Sequence, residues 1–290
     1  MGGGNDRRPS EQDIAAHYDD LSRARSIARL YEASTPAGER YRDRMARVAK
    51  HLEGLDGSLL DVGCGTGQMI RFLRRTCPGQ FVITGIDPSL PMLRVAGELV
   101  GADADVRLEI GRIERVPFPD STFAVVLVMG SLEYANDVDG SLAEVARVTG
   151  PGGRVIVTMM NRHSPYRIWD AAVAARLRKR RGGVESPVRH VVSERPLCTA
   201  LKASGLSPVE IEYFDFNVVP APLDARFPRI ATFVERRLRP LADTKLRRLA
   251  NDFLIVANRI GAAPTSESSI SDVRAHDRQT APTSRHVRVA

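Results

Sequence analysis

The chain has 290 residues, 43% of them hydrophobic, enough for one large α/β domain or two small ones and for a substantial buried core, and we read it as one extended domain. Its net charge of +7 admits RNA as a partner, but the basic stretches lack the interleaved aromatics of a base-stacking platform, so nucleic acid is disfavoured. No segment approaches the ~18 apolar residues of a membrane span, and a soluble, cytoplasmic protein is expected.

The first residues, MGGGNDRRPSEQ, are polar with no apolar leader, and Asp6 stands where a myristoylation signal after Gly2 needs Ser or Thr. Residues 1–10 read as disordered. Residues 11–32 and 38–53 are amphipathic or charged helical stretches, with Ser34, Thr35, Pro36 and Gly38 between them as helix breakers. Together, 11–56 form a helical cap expected over the ligand end of the first strand.

The core is predicted over 57–160. It begins with strand 57–62, which runs into the segment LLDVGCGTG at residues 59–67. Leu59, Leu60 and Val62 have the character of a buried parallel strand, and Gly63, Gly65 and Gly67 form a turn whose backbone can approach a ligand. A dinucleotide fingerprint requires G-x-G-x-x-G, but here the third glycine comes one residue early and Gln68 occupies the fingerprint position. The next apolar run, Phe81 to Ile86, ends in Asp87, where an acid at a strand tip can accept hydrogen bonds from ribose hydroxyls. That placement suits any adenosine cofactor.

Further strands are predicted at 104–110, 123–129, 153–159, 207–215 and 252–259, with helices near 67–76, 89–99, 138–148 and 193–204. This alternation implies a parallel sheet with helices on both faces. Residues 193–260 complete the core, and the tail 261–290, rich in Ser, Thr, Ala, Arg and Pro, reads as disordered.

Two insertions carry the positive charge. Residues 161–192 include Arg162, Arg167, Arg176, Arg178, Lys179, Arg180 and Arg181, with an apolar stripe of Tyr166, Trp169, Val173 and Leu177 at helical spacing. This is a candidate basic lid, since ligands of open α/β sheets bind beyond the carboxyl ends of the strands. Residues 218–250 include Arg226, Arg229, Arg236, Arg237, Arg239, Lys245, Arg247 and Arg248. The lid helix suits packing onto the core with a solvated basic face, an apolar substrate wall, or a surface for a phosphorylated, lipid-linked or carboxylated substrate, and a peripheral membrane contact is compatible with it.

The three cysteines, Cys64, Cys77 and Cys198, are odd in number and lack metal-ligand spacing, so they read as free thiols and no metal is expected.

In order and spacing, LLDVGCGTG, ITGIDPS with Asp87, VPFPDSTFAVVLV and RVTGPGGRVIVT resemble the class I S-adenosylmethionine-dependent methyltransferases, strongly over residues 57–160. The PFPDSTF and RVTGPGG segments look most like the small-molecule branch that includes quinone and sterol methyltransferases. The resemblance implies a Rossmann-like α/β fold with a seven-stranded, mostly parallel sheet, an antiparallel last strand and helices on both faces. It implies S-adenosyl-L-methionine as cofactor. The amides of Gly63, Cys64, Gly65 and Gly67 would approach the methionine moiety, Asp61 would orient the loop or reach the amino group, and Asp87 would take the ribose. Pro88 and Met92 would flank the adenine, Ile113 would contact its edge through the backbone, and Met129 and Gly130 would line the sulfonium channel. Arg112 departs from the pattern: the family commonly has an acid there, and a guanidinium cannot accept a hydrogen bond. Strand four also carries Phe123-Ala124 in place of Phe-Asp.

His17, Tyr134 and His163 are candidate catalytic groups near the strand ends, with His able to act as a base near neutral pH. Tyr18, Glu133, Tyr166 and Trp169 are candidate substrate contacts. MGSLEY stands where an exocyclic-amine methyltransferase would carry N/D-P-P-Y/F. The expectation is therefore in-line methyl transfer to an O or C atom of a small, partly apolar metabolite, with RNA methylation or a noncatalytic cofactor-binding scaffold as alternatives. The sequence leaves oligomeric state open.

Overall fold

The computed structural model describes residues 14, 17–169, 190–219 and 223–261. The readings placed on residues 1–10, on 170–189 of the basic lid with Val173, Arg176, Leu177, Arg178, Lys179, Arg180 and Arg181, and on the tail from 262 lie outside them. The strands are β1 (Gly57–Val62), β2 (Phe81–Asp87), β3 (Val106–Ile110), β4 (Phe123–Met129), β5 (Thr149–Met160), β6 (Leu206–Phe214) and β7 (Asp252–Arg259). They form one seven-stranded sheet in the order β3-β2-β1-β4-β5-β7-β6. The pairings among β1 to β5 are parallel, and β7 runs antiparallel to both neighbours. This is the Rossmann-like α/β class expected from the sequence.

Alternation along the central strands explains why both sheet faces are covered. Leu60, Val62, Val126 and Val128 point to one cluster, shared with Leu142 and Val145 of α5 (Val138–Val148) and Leu197 and Leu201 of α7 (Glu194–Ala203). Leu59, Val125 and Leu127 point to the other, shared with Met45 and Val48 of α2 (Pro36–Lys50) and Met69, Ile70 and Leu73 of α3 (Gln68–Thr76). A strand buried on both faces reads as a near-continuous apolar run, which is what segments 59–62 and 123–129 show.

The N-terminal helices differ from expectation. The stretch predicted over 11–32 is interrupted at Asp19–Asp20, where the Asp20 carboxylate accepts hydrogen bonds from the N–H groups of Ser22 and Arg23 (2.7 and 3.4 Å) and caps α1 (Leu21–Glu32). Pro36 and Gly38 lie inside α2 rather than between helices. Thr35 caps that helix, its Oγ1 accepting from Gly38 N–H at 3.2 Å. Pro36 takes the first helical position, where a missing N–H leaves nothing unpaired. β5 starts at Thr149 instead of 153, and β3 at Val106 instead of 104. Two further helices follow β2 and β5, α4 (Leu90–Val100) and α6 (Pro165–Trp169), and two precede β7, α8 (Leu223–Arg226) and α9 (Pro228–Leu238).

The register sets the ligand edge. Val62 pairs with Ile86 on one side and Val128 on the other, so β1, β2 and β4 end at the same level and present Gly63, Asp87 and Met129 together. α2 is fixed over that edge from the far side: Arg47 pairs with Glu212 of β6, and His51 Nε2 lies 3.0 Å from the same carboxylate. His51 and Arg47 together hold the Glu212 carboxyl below the usual glutamate range.

Candidate functional site

The glycine turn is held by backbone. Gly63 and Cys64 N–H both donate to Ile86 C=O (2.8 and 2.9 Å). Gly63 has φ 73°, and a Cβ there would stand 2.4 Å from Ser131 Cβ. Gly67 has φ 75°, and a Cβ there would meet Ala96 of α4 at 3.0 Å. The early third glycine therefore does serve close helix packing, between the start of α3 and α4. A Cβ on Gly65 would meet nothing within 4 Å, which leaves an open cradle on the cavity side.

Asp87 is tied to this turn. One carboxylate oxygen accepts from Gly65 N–H (2.9 Å) and the other from Ser89 N–H (2.9 Å). Burial pushes its pKa up to about 6 against those two favourable hydrogen bonds. A carboxylate has about four lone-pair positions, so each oxygen keeps one for a ligand hydroxyl.

The turn opens into a cavity of about 740 Å³, within the range of sites for small ligands and cofactors. Pro88, Met92 and Ile113 line one end as an apolar slot, with Met92 and Ile113 buried. α1 covers that slot: Ala24, Met92 and Val95 pack with Tyr18, Leu21 and Ile27, and Ser89 Oγ donates to Tyr18 C=O at 3.0 Å.

Side chains from distant segments close the other end. Tyr31 of α1 stacks on Tyr41 of α2 with centroids 4.5 Å apart. Arg44 lies over the Tyr41 ring at 5.3 Å and donates to Tyr31 OH at 3.2 Å. Arg40 lies 3.6 Å from Asp215 and 3.6 Å from Asp224, and Arg167 lies 3.2 Å from Asp252. Buried atoms without a hydrogen-bond partner among the described residues include Arg40 Nη1, Arg44 Nε, Glu133 Oε2, Thr158 Oγ1 and Arg167 Nε. All five residues line the cavity. Native interiors leave few polar groups unpaired, and unpaired ones concentrate at sites of strain or function.

Four acids at the cavity have raised pKa values. Burial lifts Asp61 to about 7, assisted by the Asp87 charge and opposed by Arg44. Burial also lifts Glu133 to about 7, opposed by its hydrogen bond from backbone and by Arg44. Asp215 is pushed up by burial and by Asp252. Its backbone is left-handed at φ 60°, a conformation that Asp tolerates better than most residues but that still costs energy. Asp87 is the fourth.

Most expected residues gather here: Asp61, Gly63, Cys64, Gly65, Asp87, Pro88, Met92, Arg112, Ile113, Met129 and Gly130, together with His17, Tyr18, Glu133, Tyr134 and Tyr166. Gly67 serves packing behind the turn. Arg112 lines the cavity beside Ile113 and Glu114, with an exposed side chain 3.6 Å from the Glu114 carboxylate.

His163 does not join the lining. Its side chain is exposed and its N–H donates to Asn161 Oδ1 (3.1 Å). The reason is local: Asn161 and Ser164 are buried and tie residues 161–164 to Arg248, Ala250 and Asn251, so the chain turns His163 outward. Trp169 also lies outside the lining. His17 nitrogens face Arg23 Nη1 at 2.8 Å, and burial, then Arg23, lowers its pKa. Tyr18 and Tyr134 meet edge-to-face at 5.6 Å, and burial raises both phenols. Cys64 is buried with its thiol pushed well up by burial, Asp61 and Asp87, which leaves it unreactive.

Missing from the sequence expectation were Tyr31, Arg40, Tyr41, Arg44, Asp215 and Asp252. For α2 there was a signal: Ala37, Tyr41, Met45 and Val48 make an apolar stripe beside Arg40 and Arg44. For Asp215 and Asp252 there was none, because they meet only where β6 and β7 pair.

Residues 60–157 match the methyltransferase domain family. Over this segment the chain is similar to methyltransferase domains. The chain is 31% identical over 148 residues to a ubiquinone/menaquinone biosynthesis C-methyltransferase of Geobacter sulfurreducens, an alignment covering 50% of this chain and 54% of that protein. It is 35% identical over 147 residues to a demethylmenaquinone methyltransferase of Thermus thermophilus, covering 50% of this chain and 61% of that protein. The chain thus spans little more than half the length of these relatives. A solved structure of a Haloferax volcanii putative methyltransferase in complex with the Trm112 activator superposes on 87% of this chain and 100% of its own, with a TM-score of 0.59 at 19% identity. The [4+2]-cyclase SpnF superposes on 88% of this chain and 98% of its own, with a TM-score of 0.57 at 21% identity. These two likenesses show the fold around the methyltransferase domain. The cyclase illustrates that a fold hosts more than one chemistry.

Proposed function

We propose that this protein is an S-adenosylmethionine-dependent methyltransferase acting on an O or C atom of a small, partly apolar acceptor. The observation that carries the reading is the Asp87 carboxylate, bound to the glycine turn through Gly65 at the tip of β2 with lone pairs left for a ribose. The relatives named as quinone-biosynthesis methyltransferases, one of them a C-methyltransferase, support the acceptor class.

The residues fit the cofactor. The open cradle at Gly65 admits a ligand backbone, the Pro88, Met92 and Ile113 slot accepts an adenine, and Asp61 and Arg44 offer opposite charges for an amino-acid moiety. When bound, S-adenosylmethionine supplies an activated methyl group for in-line displacement.

The chain's own contribution is positioning and proton handling. Tyr31, Tyr41, Met129 and Gly130 wall the space beside the turn, and α1 and α2 cover it. Holding a nucleophile against an electrophile removes much of the barrier without further chemistry. Glu133 is the candidate base: its Oε2 is unpartnered at the cavity, and a pKa near 7 is suited to taking a proton from a hydroxyl or an acidic C–H. A phenolate role for Tyr18 or Tyr134 is disfavoured by their burial.

Calorimetry with S-adenosylhomocysteine tests the reading. Micromolar binding is expected, and Asp87→Ala should weaken it about 100-fold, since hydrogen bonds to a charged group contribute about 1.5–3 kcal/mol each. Equal affinity in the variant would refute the assigned site.

A further inference from the structure

The most unusual surface lies on α8 and α9, away from the glycine turn. Leu223, Phe227, Ile230 and Phe233 are 49, 49, 56 and 58% exposed, spaced four, three and three residues apart. Within α9 the inward face is Ala231, Val234 and Leu238, with only Ala231 fully buried, so Ile230, Phe233 and Arg237 share the outward face. Leu246 and Leu249, in the short turn before β7, add two more exposed apolar side chains. Single exposed apolar residues are ordinary, but a contiguous set of large ones marks an interaction site.

Charge narrows the partner. Arg226, Arg229, Arg236 and Arg237 are exposed around the stripe, and Arg237 lies over the Phe233 ring at 5.3 Å. Arg226, Arg229 and Arg236 form no ion pair among the described residues. The acids on these two helices point the other way: Asp224 is buried against Arg40, and Glu235 has its pKa raised by burial while Arg40 and Arg239 oppose that rise.

Two other occupants, a segment of this chain and a second copy, are disfavoured by the same charge. Residues 170–189 carry Arg176, Arg178, Lys179, Arg180, Arg181 and Arg189 against Asp170 and Glu185, so that segment would be repelled. A second copy of this face would bring arginines against arginines.

We propose that the outward face of α8 and α9 docks onto an anionic lipid surface, with the phenylalanines and isoleucine entering the acyl boundary and the arginines meeting the headgroups. Basic residues flanking a set of exposed Phe, Ile and Leu side chains is the pattern of helices that lie in a membrane interface. Each interfacial arginine adds roughly fivefold to affinity for an anionic membrane. The proposal goes beyond the methyltransferase reading and stands independently of it.

Flotation of the full chain with phosphatidylcholine vesicles, with and without phosphatidylglycerol, provides the test. Flotation is expected only with the anionic vesicles and should be lost at high salt. The double variant Ile230→Asp/Phe233→Asp should lose at least about tenfold of this affinity, and Arg226→Gln/Arg229→Gln/Arg236→Gln about 100-fold. Circular dichroism and S-adenosylhomocysteine affinity should match the parent in both, because the altered side chains are exposed and outside the cavity. The proposal is overturned if the parent chain stays unbound at low salt, or if both variants float as the parent does. It is equally overturned if sedimentation shows Phe233→Asp splitting a dimer while vesicle binding is unchanged, which would make the face an interface between copies. Loss of cofactor affinity in the parent would instead count against the methyltransferase reading.

Discussion

The two ends of the cavity are built in opposite ways. The end proposed for the adenosine is built mainly from residues 59–92, where backbone amides, a left-handed turn and one acid form the frame. The end proposed for the acceptor comes from several separate segments whose long side chains converge, and it retains the unpartnered polar atoms. A backbone-built site tolerates little change in geometry but much change in neighbouring side chains. A side-chain-built site is the reverse, and so can be retargeted without disturbing the cofactor.

Four experiments test that division, in descending order of expected effect. Gly63→Ala should be the most damaging, since its Cβ would stand 2.4 Å from Ser131 Cβ at a backbone φ of 73°. We expect a loss of about 2–4 kcal/mol in urea unfolding, and a variant as stable as the parent would mean the turn is not rigid. Glu133→Gln should lower kcat about 100-fold while leaving S-adenosylhomocysteine affinity intact. An equal loss in both would place Glu133 at the cofactor rather than the acceptor.

Arg44→Met should weaken cofactor binding about tenfold, blurring the division, because Arg44 stands where the two ends meet. No change would assign it wholly to the acceptor.

The pH dependence should be the mildest. Asp61, Asp87 and Glu133 have folded pKa values of about 7, 6 and 7, above their unfolded values. The folded chain therefore keeps protons that the unfolded chain releases, and these groups lose stabilising effect as pH rises from about 4 to 7. The ligand-free protein should gain melting temperature from them on going from pH 8 to pH 5. Cofactor affinity should move the other way, rising about fivefold from pH 5.5 to 8, because a cation beside Asp61 favours the ionised form. Titrations in calorimetry that show affinity falling with pH would remove Asp61 from the cofactor site.

The same contrast explains what the sequence could reveal. Strands β1, β4 and β7 begin and end as the apolar runs predict, since burial on both faces leaves a one-dimensional trace. The turn and the place of Asp87 were legible because each directly follows or ends an apolar strand run, β1 and β2. Arg40 and Asp215 were not, since the ion pair between them joins positions 175 residues apart and depends on how α2 lies across β6. His163 misled for the converse reason: adjacency to a strand end suggested a role, but the buried Asn161 and Ser164 beside it decide which way it faces. The helix break at Asp20 was written in the cap residue, yet an amphipathic pattern continuing through it hid the signal.

Asp215 carries a consequence for how this protein can change over time. Its left-handed backbone, at φ 60°, would be more comfortable as glycine or asparagine. Libraries sorted for thermal resistance alone should therefore drift to Gly or Asn at that position. Libraries sorted for turnover should hold the acid, so the two selections, run in parallel, would separate what the fold prefers from what the chemistry demands.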